Sequence, residues 1–148
     1  MMKLSTKGRY GLRAMIDLAS HYEMRDNMLL PIMMSDIARR QGLSRKYLHA
    51  LLTPLKEAGL ILSTRGAKGG YFLAKPPEDI SLLEILTVLE GKLSIVDCAV
   101  YPEQCQRACN CEAHDVWSTL NQVVVQKMKS ITLNQIVRSE DRRTCRFI

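Results

Sequence analysis

The spacing of apolar residues predicts three helices within the first 60 positions of the chain. Ser5 has a side chain suited to capping the first helix. A second, short helix is expected from Ser35 to Gly42, and a third from Ser44 to Gly59, because a hydroxyl residue precedes each apolar pattern and a glycine follows it. In the first helix the apolar positions at helical spacing are Leu12, Met15, Ile16 and Ala19.

The second and third helices are joined by the short segment QGLS, which is the arrangement of a helix-turn-helix. The outer face of the third helix carries Arg45, Lys46, His49, Thr53 and Lys56. Two short apolar runs, 60–64 and 71–74, then flank RGAKGG and predict a hairpin whose tip brings three glycines beside Arg65 and Lys68. A helix-turn-helix followed by a basic hairpin indicates a winged helix, and its donors suit phosphates and the acceptor atoms of guanine.

The second half of the chain predicts a helix, a cysteine-rich loop and a longer helix. Ser81 and Glu84 form a capping box for a helix that ends at Gly91. The longer helix follows the cysteines, and its apolar positions are Val116, Trp117, Leu120, Val123, Val124, Met128 and Ile131. A face this broad can pack against a second copy of the chain, so we expect a homodimer, and burial within one chain is the alternative. The segment TLNQIV predicts a last short helix before a charged tail that contains Cys145.

These elements predict a mainly α fold, a winged helix-turn-helix with a two-stranded wing and a long C-terminal dimerisation helix. We divide the chain into a DNA-binding domain over 1–80, a linking helix and cysteine-rich loop over 81–111, and a dimerisation helix with its tail over 112–148. The double proline at 76–77 marks the first boundary.

Charge is divided unevenly between the two halves. The net charge of +6 over 148 residues separates into +8 for residues 1–75 and −2 for residues 76–148. A basic first half suggests a polyanionic partner, with surface solubility as the alternative. The chain contains no run near the ~18 apolar residues of a membrane span, and its first residues carry charges where a signal peptide is apolar. We therefore expect a cytoplasmic protein without a membrane partner, and we find no pattern of catalytic residues that would indicate an enzyme.

Four of the five cysteines lie between positions 98 and 111, and His114 follows them. A tight cluster in a reducing compartment favours a metal site or a redox switch over structural disulfides. Cys111 and His114 are one helical turn apart, and Cys98 and Cys105 come from the preceding loop. Thiolates with one imidazole suit an iron–sulfur cluster or zinc. Cys109 could replace His114 as a ligand, and a ligand-free role for the cysteines as small apolar residues stays open.

The segments LSTKGRYGLRAMIDLA, DIARRQGLSRKYLHALLTPLKEAGL, RGAKGGYFLAKP and CEAHDVW together resemble the Rrf family of bacterial winged-helix regulators over roughly residues 3–135. Within the family the chain is most similar to the iron–sulfur cluster regulators. The resemblance implies a homodimeric transcription factor with a 2Fe–2S cluster on Cys98, Cys105, Cys111 and His114. The first cysteine gap is one residue longer here than in those regulators, which bears on the cluster type and its ligands. In the recognition helix His49-Ala50 replace a Glu-Gln pair, so we expect a different reading of bases.

We therefore expect a homodimeric regulator that binds promoter DNA and senses iron–sulfur, redox or nitric oxide status. The alternatives are a zinc-dependent or cluster-free regulator, or an iron–sulfur electron-transfer or enzyme component whose winged helix binds protein. The residues expected to contact DNA are Ser5, Lys7, Arg9, Ser44, Arg45, Lys46, Tyr47, His49, Arg65, Lys68 and Gly69.

Overall fold

Six helices and two small antiparallel sheets build the fold of the computed structural model, which describes residues 4–25 and 28–140. The helices are α1 (Thr6–Ser20), α2 (Met34–Gln41), α3 (Arg45–Glu57), α4 (Leu82–Glu90), α5 (Glu112–Ser130) and α6 (Leu133–Glu140). The strands are β1 (Met24–Arg25), β2 (Met28–Leu29), β3 (Ile61–Thr64) and β4 (Gly70–Leu73). This architecture confirms the predicted winged helix-turn-helix with a long helix in its second half. Cys145 lies outside the described residues.

The turn between α2 and α3 follows from two residues. Gly42 ends α2 with φ at +65°, a left-handed conformation that glycine adopts without steric cost. Ser44 then caps α3, and its hydroxyl accepts a hydrogen bond from the Tyr47 N–H at 3.1 Å. The predicted cap at Ser35 is wrong. The α2 helix begins at Met34, because the carbonyl of Met33 already accepts hydrogen bonds from the first turn and no side-chain cap is used.

The wing is the predicted hairpin of β3 and β4, paired from Ile61 with Leu73 to Thr64 with Gly70. The sequence pattern did not predict its third partner. Ile32 exchanges two backbone hydrogen bonds with Tyr71, of 2.8 and 2.9 Å. Gly70 makes this pairing possible, because a Cβ at Gly70 would lie 2.3 Å from the Ile32 carbonyl oxygen. The short β1–β2 hairpin was not predicted either.

The last helices pack on the winged helix instead of standing apart from it. Ile80, Ile85, Leu89 and Leu133 are buried in the same apolar cluster as the inner face of α1. At Gly11 a Cβ would lie 2.4 Å from a Leu89 methyl group, so α1 and α4 approach at closer range than a larger residue permits. The division of the chain at residues 80 and 111 stays a prediction. Within the described residues, no helix is long and apolar enough to cross a membrane.

The predicted capping box at the start of α4 is present. The Ser81 hydroxyl accepts from the Glu84 N–H, and the Glu84 carboxylate accepts from the Ser81 N–H at 2.8 Å. Burial opposes ionisation of Glu84, but the hydrogen bonds from Ser81 and the ion pair with Lys75 outweigh it and lower the pKa of Glu84.

A buried carboxylate fastens α2 to α1. The Asp17 side chain is 3% exposed, and Arg40 donates to both of its oxygens at 2.6 and 2.9 Å. Gln41 donates to the same carboxylate at 2.9 Å, and Arg13 in turn donates to the Gln41 side chain. The hydrogen bond to Asp17 raises the pKa of Arg40. The helix-turn-helix is therefore held at its turn by a paired charge as well as by apolar packing.

Replacing Asp17 with Asn should lower the free energy of unfolding by about 2 to 4 kcal/mol, because Arg40 loses its partner while the site keeps its shape. Urea denaturation followed by circular dichroism measures the change. The control is Asp36→Asn, which breaks the exposed pair of Asp36 with Arg39 and should cost less than about 1 kcal/mol. Equal losses in the two variants would contradict this role for Asp17.

Candidate functional site

The outer face of α3 presents the cations that the sequence predicted. Arg45, Lys46, His49 and Lys56 are exposed, and Thr53 is half-buried between them. Arg45, Lys46 and Lys56 form no ion pair with a carboxylate of the described part of the chain. They are held by the buried opposite face of the helix, which consists of Leu48, Leu51, Leu52 and Leu55. The helix is therefore anchored to the core by its inner face, and its outer face is positively charged.

One cleft joins this helix to the wing. Arg45 and Lys56 of α3 line it together with Arg65, Gly69 and Gly70 of the hairpin. At the hairpin tip Gly66 has φ at +111°, and the Gly69 N–H donates to its carbonyl at 3.0 Å. This tight turn leaves Arg65 and Lys68 exposed. The structure thus brings helix and wing cations to the two walls of one concave surface.

The predicted contacts on α1 divide into two groups. Lys7 and Arg9 are exposed at the start of the helix. The side chain of Ser5 donates to the Glu90 carboxylate at 2.6 Å, its backbone N–H donates to the same oxygen at 3.0 Å, and its hydroxyl also accepts from Gly8. Ser5 therefore ties α1 to the end of α4. The sequence pattern contained no signal for this contact, since Glu90 is 85 positions away.

Tyr47 is half-buried and packs edge-on against Tyr10, with the ring centroids 6.1 Å apart. Arg13 lies over the other aromatic ring, 5.1 Å from the centroid of Tyr10. The first turn of α3 is therefore braced against α1 beside its exposed cations. Tyr10 was missed as a residue of the site because nothing in the local pattern distinguishes it from a core residue.

Three short 3₁₀ turns carry the cysteines up to the start of α5. Cys98 lies in the first turn, Cys105 follows the second, Cys109 lies in the third, and Cys111 directly precedes α5. All four are free thiols, and Cys98, Cys105 and Cys111 are half-buried whereas Cys109 is exposed. The three thiols predicted as ligands are thus more protected from solvent than Cys109.

His114 and Asn121 fasten the loop to one face of α5. The Cys98 carbonyl can only accept, so His114 donates to it from Nε2 at 3.1 Å, and the lone pair of a neutral ring is then on Nδ1. Two turns further along α5, the nearly buried Asn121 accepts from the Ile95 N–H at 3.1 Å. The segment 95–98 is therefore bound to α5 at both ends. Asn121 was missed because a polar residue within an apolar helix pattern resembles a surface position.

The residue types of the four predicted ligands are those that bind metals. Thiolates and an imidazole are ligands of iron–sulfur clusters and of zinc. The backbone of Cys98 contacts the ring of His114, but within residues 4–25 and 28–140 no three side chains of His, Cys, Asp or Glu are grouped closely enough to hold a metal ion. The four predicted ligands thus belong to one loop and helix start without forming a ready coordination sphere.

An apolar stripe on α5 is left uncovered. The exposed fractions of Val116, Trp117, Leu120 and Val123 are 56%, 39%, 44% and 57%. Val116, Leu120 and Val123 follow each other at intervals of four and three residues and share one face of the helix. Asn121, Val124 and Met128 face the rest of the chain and are buried or half-buried. In the part of the chain that the structure describes, burial within one chain, the alternative considered above, therefore does not cover this stripe.

Comparison with known proteins supports one family. The model of the Rrf2 family, described as an iron-dependent transcriptional regulator, matches residues 4–139. The protein rrf2 of Nitratidesulfovibrio vulgaris is 37% identical over 137 residues, which is 93% of this chain and 88% of that protein. The structure of CymR, the global cysteine regulator of B. subtilis, is 37% identical with a TM-score of 0.76, covering 94% of this chain and 98% of that one. The structure of T. potens IscR is 36% identical with a TM-score of 0.71, covering 99% and 93%.

Proposed function

Because the chain belongs to the Rrf2 family of transcriptional regulators and is not an enzyme, we propose that it is a cytoplasmic, homodimeric regulator that binds promoter DNA and senses iron–sulfur, redox or nitric oxide status. The observation that carries the DNA-binding part is the cleft between α3 and the wing. Arg45, Lys56 and Arg65 line it, and none of them is neutralised by a carboxylate of the described residues.

In this proposal α3 enters the major groove and the wing lies along the backbone beside it. The first turns of α3 carry Arg45, Lys46 and His49. In a recognition helix the N-terminal end is the part that contacts base edges. Arg65 and Lys68 at the wing tip neutralise phosphates, and the glycines beside them let the backbone approach the duplex closely. Lys7 and Arg9 extend the cationic surface along the start of α1.

Replacing Arg65 and Lys68 together with Ala should weaken binding to a duplex of the target promoter and should reduce the slope of log affinity against log salt by about 2, because each lost phosphate contact removes about 0.9. Fluorescence anisotropy at several salt concentrations measures both. The matched control is Lys127→Ala with Lys129→Ala, which removes two exposed cations from the far end of α5. If the two double variants lose the same affinity, net charge rather than the wing carries the binding.

The exposed stripe of α5 supports the homodimer. Exposure of four large apolar side chains to solvent is unfavourable. In a two-fold dimer, the same stripe of a second α5 would pack against them and remove them from water. A two-fold pair of chains would also present two recognition helices to two half-sites of an operator. We therefore place the dimer contact along Val116, Trp117, Leu120 and Val123.

Replacing Leu120 and Val123 with Glu should convert the dimer to a monomer, with a dimer Kd raised by about 100-fold or more, because two like charges would be buried on each chain. Sedimentation equilibrium measures the change against the 16.8 kDa mass of one chain. The control is Gln122→Glu with Gln126→Glu, which adds the same charge on another face of the same helix. A wild-type protein that sediments as a monomer, or a control that dissociates equally, would contradict the proposal.

For the sensing part, we place the cluster, 2Fe–2S by resemblance, on Cys98, Cys105, Cys111 and His114, where it would supply a centre sensitive to oxidation and to nitric oxide. His114 already contacts the Cys98 segment, and the three cysteines are the protected ones. The loop begins just after Glu90, whose carboxylate holds Ser5 at the start of α1, so a rearranged loop has a short path to the DNA-binding surface. The second candidate is a zinc-dependent or cluster-free regulator. The ligand donors are not converged within the described residues, and this observation favours its cluster-free form, because zinc requires the same convergence as a cluster.

Visible absorption of anaerobically purified protein tests the cluster. We expect a reddish-brown protein whose spectrum changes in His114→Ala, because the imidazole is a ligand, and is retained in Cys109→Ala, because that thiol is exposed and unused. A colourless wild-type protein would favour the second candidate, and zinc analysis would then distinguish its two forms. Loss of the spectrum in Cys109→Ala alone would place Cys109 in the ligand set instead of His114.

A further inference from the structure

The Thr53 hydroxyl contacts both the backbone and the ring of His49 on the outer face of α3. The Thr53 hydroxyl donates to the His49 carbonyl oxygen at 2.8 Å, and the same hydroxyl oxygen lies 3.4 Å from Nδ1 of the His49 ring. A hydroxyl has one hydrogen, and the carbonyl can only accept. Since the hydrogen is used on the carbonyl, the hydroxyl oxygen faces the ring as an acceptor, and this contact favours the tautomer whose hydrogen is on Nδ1.

A neutral imidazole with its hydrogen on Nδ1 has its lone pair on Nε2. Nε2 makes no hydrogen bond within the described residues, and the side chain of His49 is exposed in a groove that Thr53, Lys56, Glu57 and Tyr71 also line. The neighbouring cations Arg45, Lys46 and Lys56 can only donate. His49 therefore adds an acceptor atom beside three cations that are donors only.

Glu57 is a charged acceptor in the same groove, but it lies at a different position along the helix. His49 is the fifth residue of α3 and Glu57 the last, which separates them by about 12 Å along the helix axis at 1.5 Å per residue. The residues of a recognition helix that contact base edges are those of its N-terminal part. Of the two, His49 is the one in position to meet a base.

We propose that Thr53 holds His49 in the tautomer that accepts at Nε2, so that His49 selects a base with an amino group, cytosine N4 or adenine N6, in the major groove. These amino groups are the donors that the major-groove edge presents, whereas guanine and thymine offer acceptors there. The inference rests on the proposed function, in which α3 enters the major groove. Thr53 is the positioning residue, and His49 makes the contact.

The experiment is selection of binding sites from randomised duplexes, followed by competition with single-base variants at about pH 8. The position read by His49 is the one at which His49→Ala loses its base preference. There the wild type should prefer cytosine or adenine over guanine and thymine by about 10-fold, the order of one good base contact.

The Thr53 variants test the tautomer itself. Thr53→Val keeps the shape of the side chain but removes the hydroxyl, so the ring can exchange its hydrogen between the nitrogens and the preference should fall to about 2-fold or less. Thr53→Ser keeps the hydroxyl and should keep the preference. Both variants should retain affinity for unselected duplex, because the phosphate contacts are unchanged.

Two failures can be told apart. If the wild type binds no duplex, the proposed DNA-binding function is overturned and this inference falls with it. If the wild type selects a sequence but His49→Ala changes no position, or that position prefers guanine or thymine, or Thr53→Val keeps the full preference, this inference is overturned while the proposed function stands.

Discussion

The close contact between the start of α1 and the end of α4 is the constraint on which the rest of the structure depends. Gly8 and Gly11 face Glu90 and Leu89 at distances where any Cβ would collide. The side chains of α4 therefore pack directly against the backbone of α1. Through its other faces α1 holds α2 by the Asp17 carboxylate and α3 by apolar packing. The α1 helix therefore positions the helix-turn-helix, and it also contacts the end of α4, after which the chain continues to the cysteines.

The two halves of the molecule differ in how much apolar surface they bury. The helices that carry the proposed DNA-binding surface have buried inner faces, and Arg45, Lys56 and Arg65 line one cleft. The cysteine loop consists of short 3₁₀ turns and is fastened to α5 by two hydrogen bonds, from Ile95 and from His114. Segments with little buried apolar surface open at low free-energy cost. In the proposed function, a signal that reorganises this loop would act on turns without buried residues, next to the end of α4 that contacts α1.

The sequence predicts most of the fold because most of its determinants are local. Gly42, Ser44 and the Ser81–Glu84 capping box act within four residues, and each does what its pattern indicates. What sequence reasoning missed depends on residues far apart in the chain. The pairing of Ile32 with Tyr71 and the bond from Ser5 to Glu90 exist only once the helices have packed. The Ser35 cap failed for a related reason, since backbone bonds to Met33 began the helix earlier.

The same distinction explains why the exposed cations of α3 were easier to predict than the arrangement of the proposed metal ligands. A cation on the outer face of an amphipathic helix points to solvent whenever the opposite face is buried, so Arg45, Lys46 and Lys56 follow from periodicity alone. A ligand set on a loop has no such rule, because its geometry depends on the ligand as much as on the chain. Spacing makes Cys98, Cys105, Cys111 and His114 candidate donors, with Cys109 as the alternative to His114, and the structure adds that His114 contacts the Cys98 backbone. In the proposed function, the binding of a metal or cluster is the step that brings the donor side chains together.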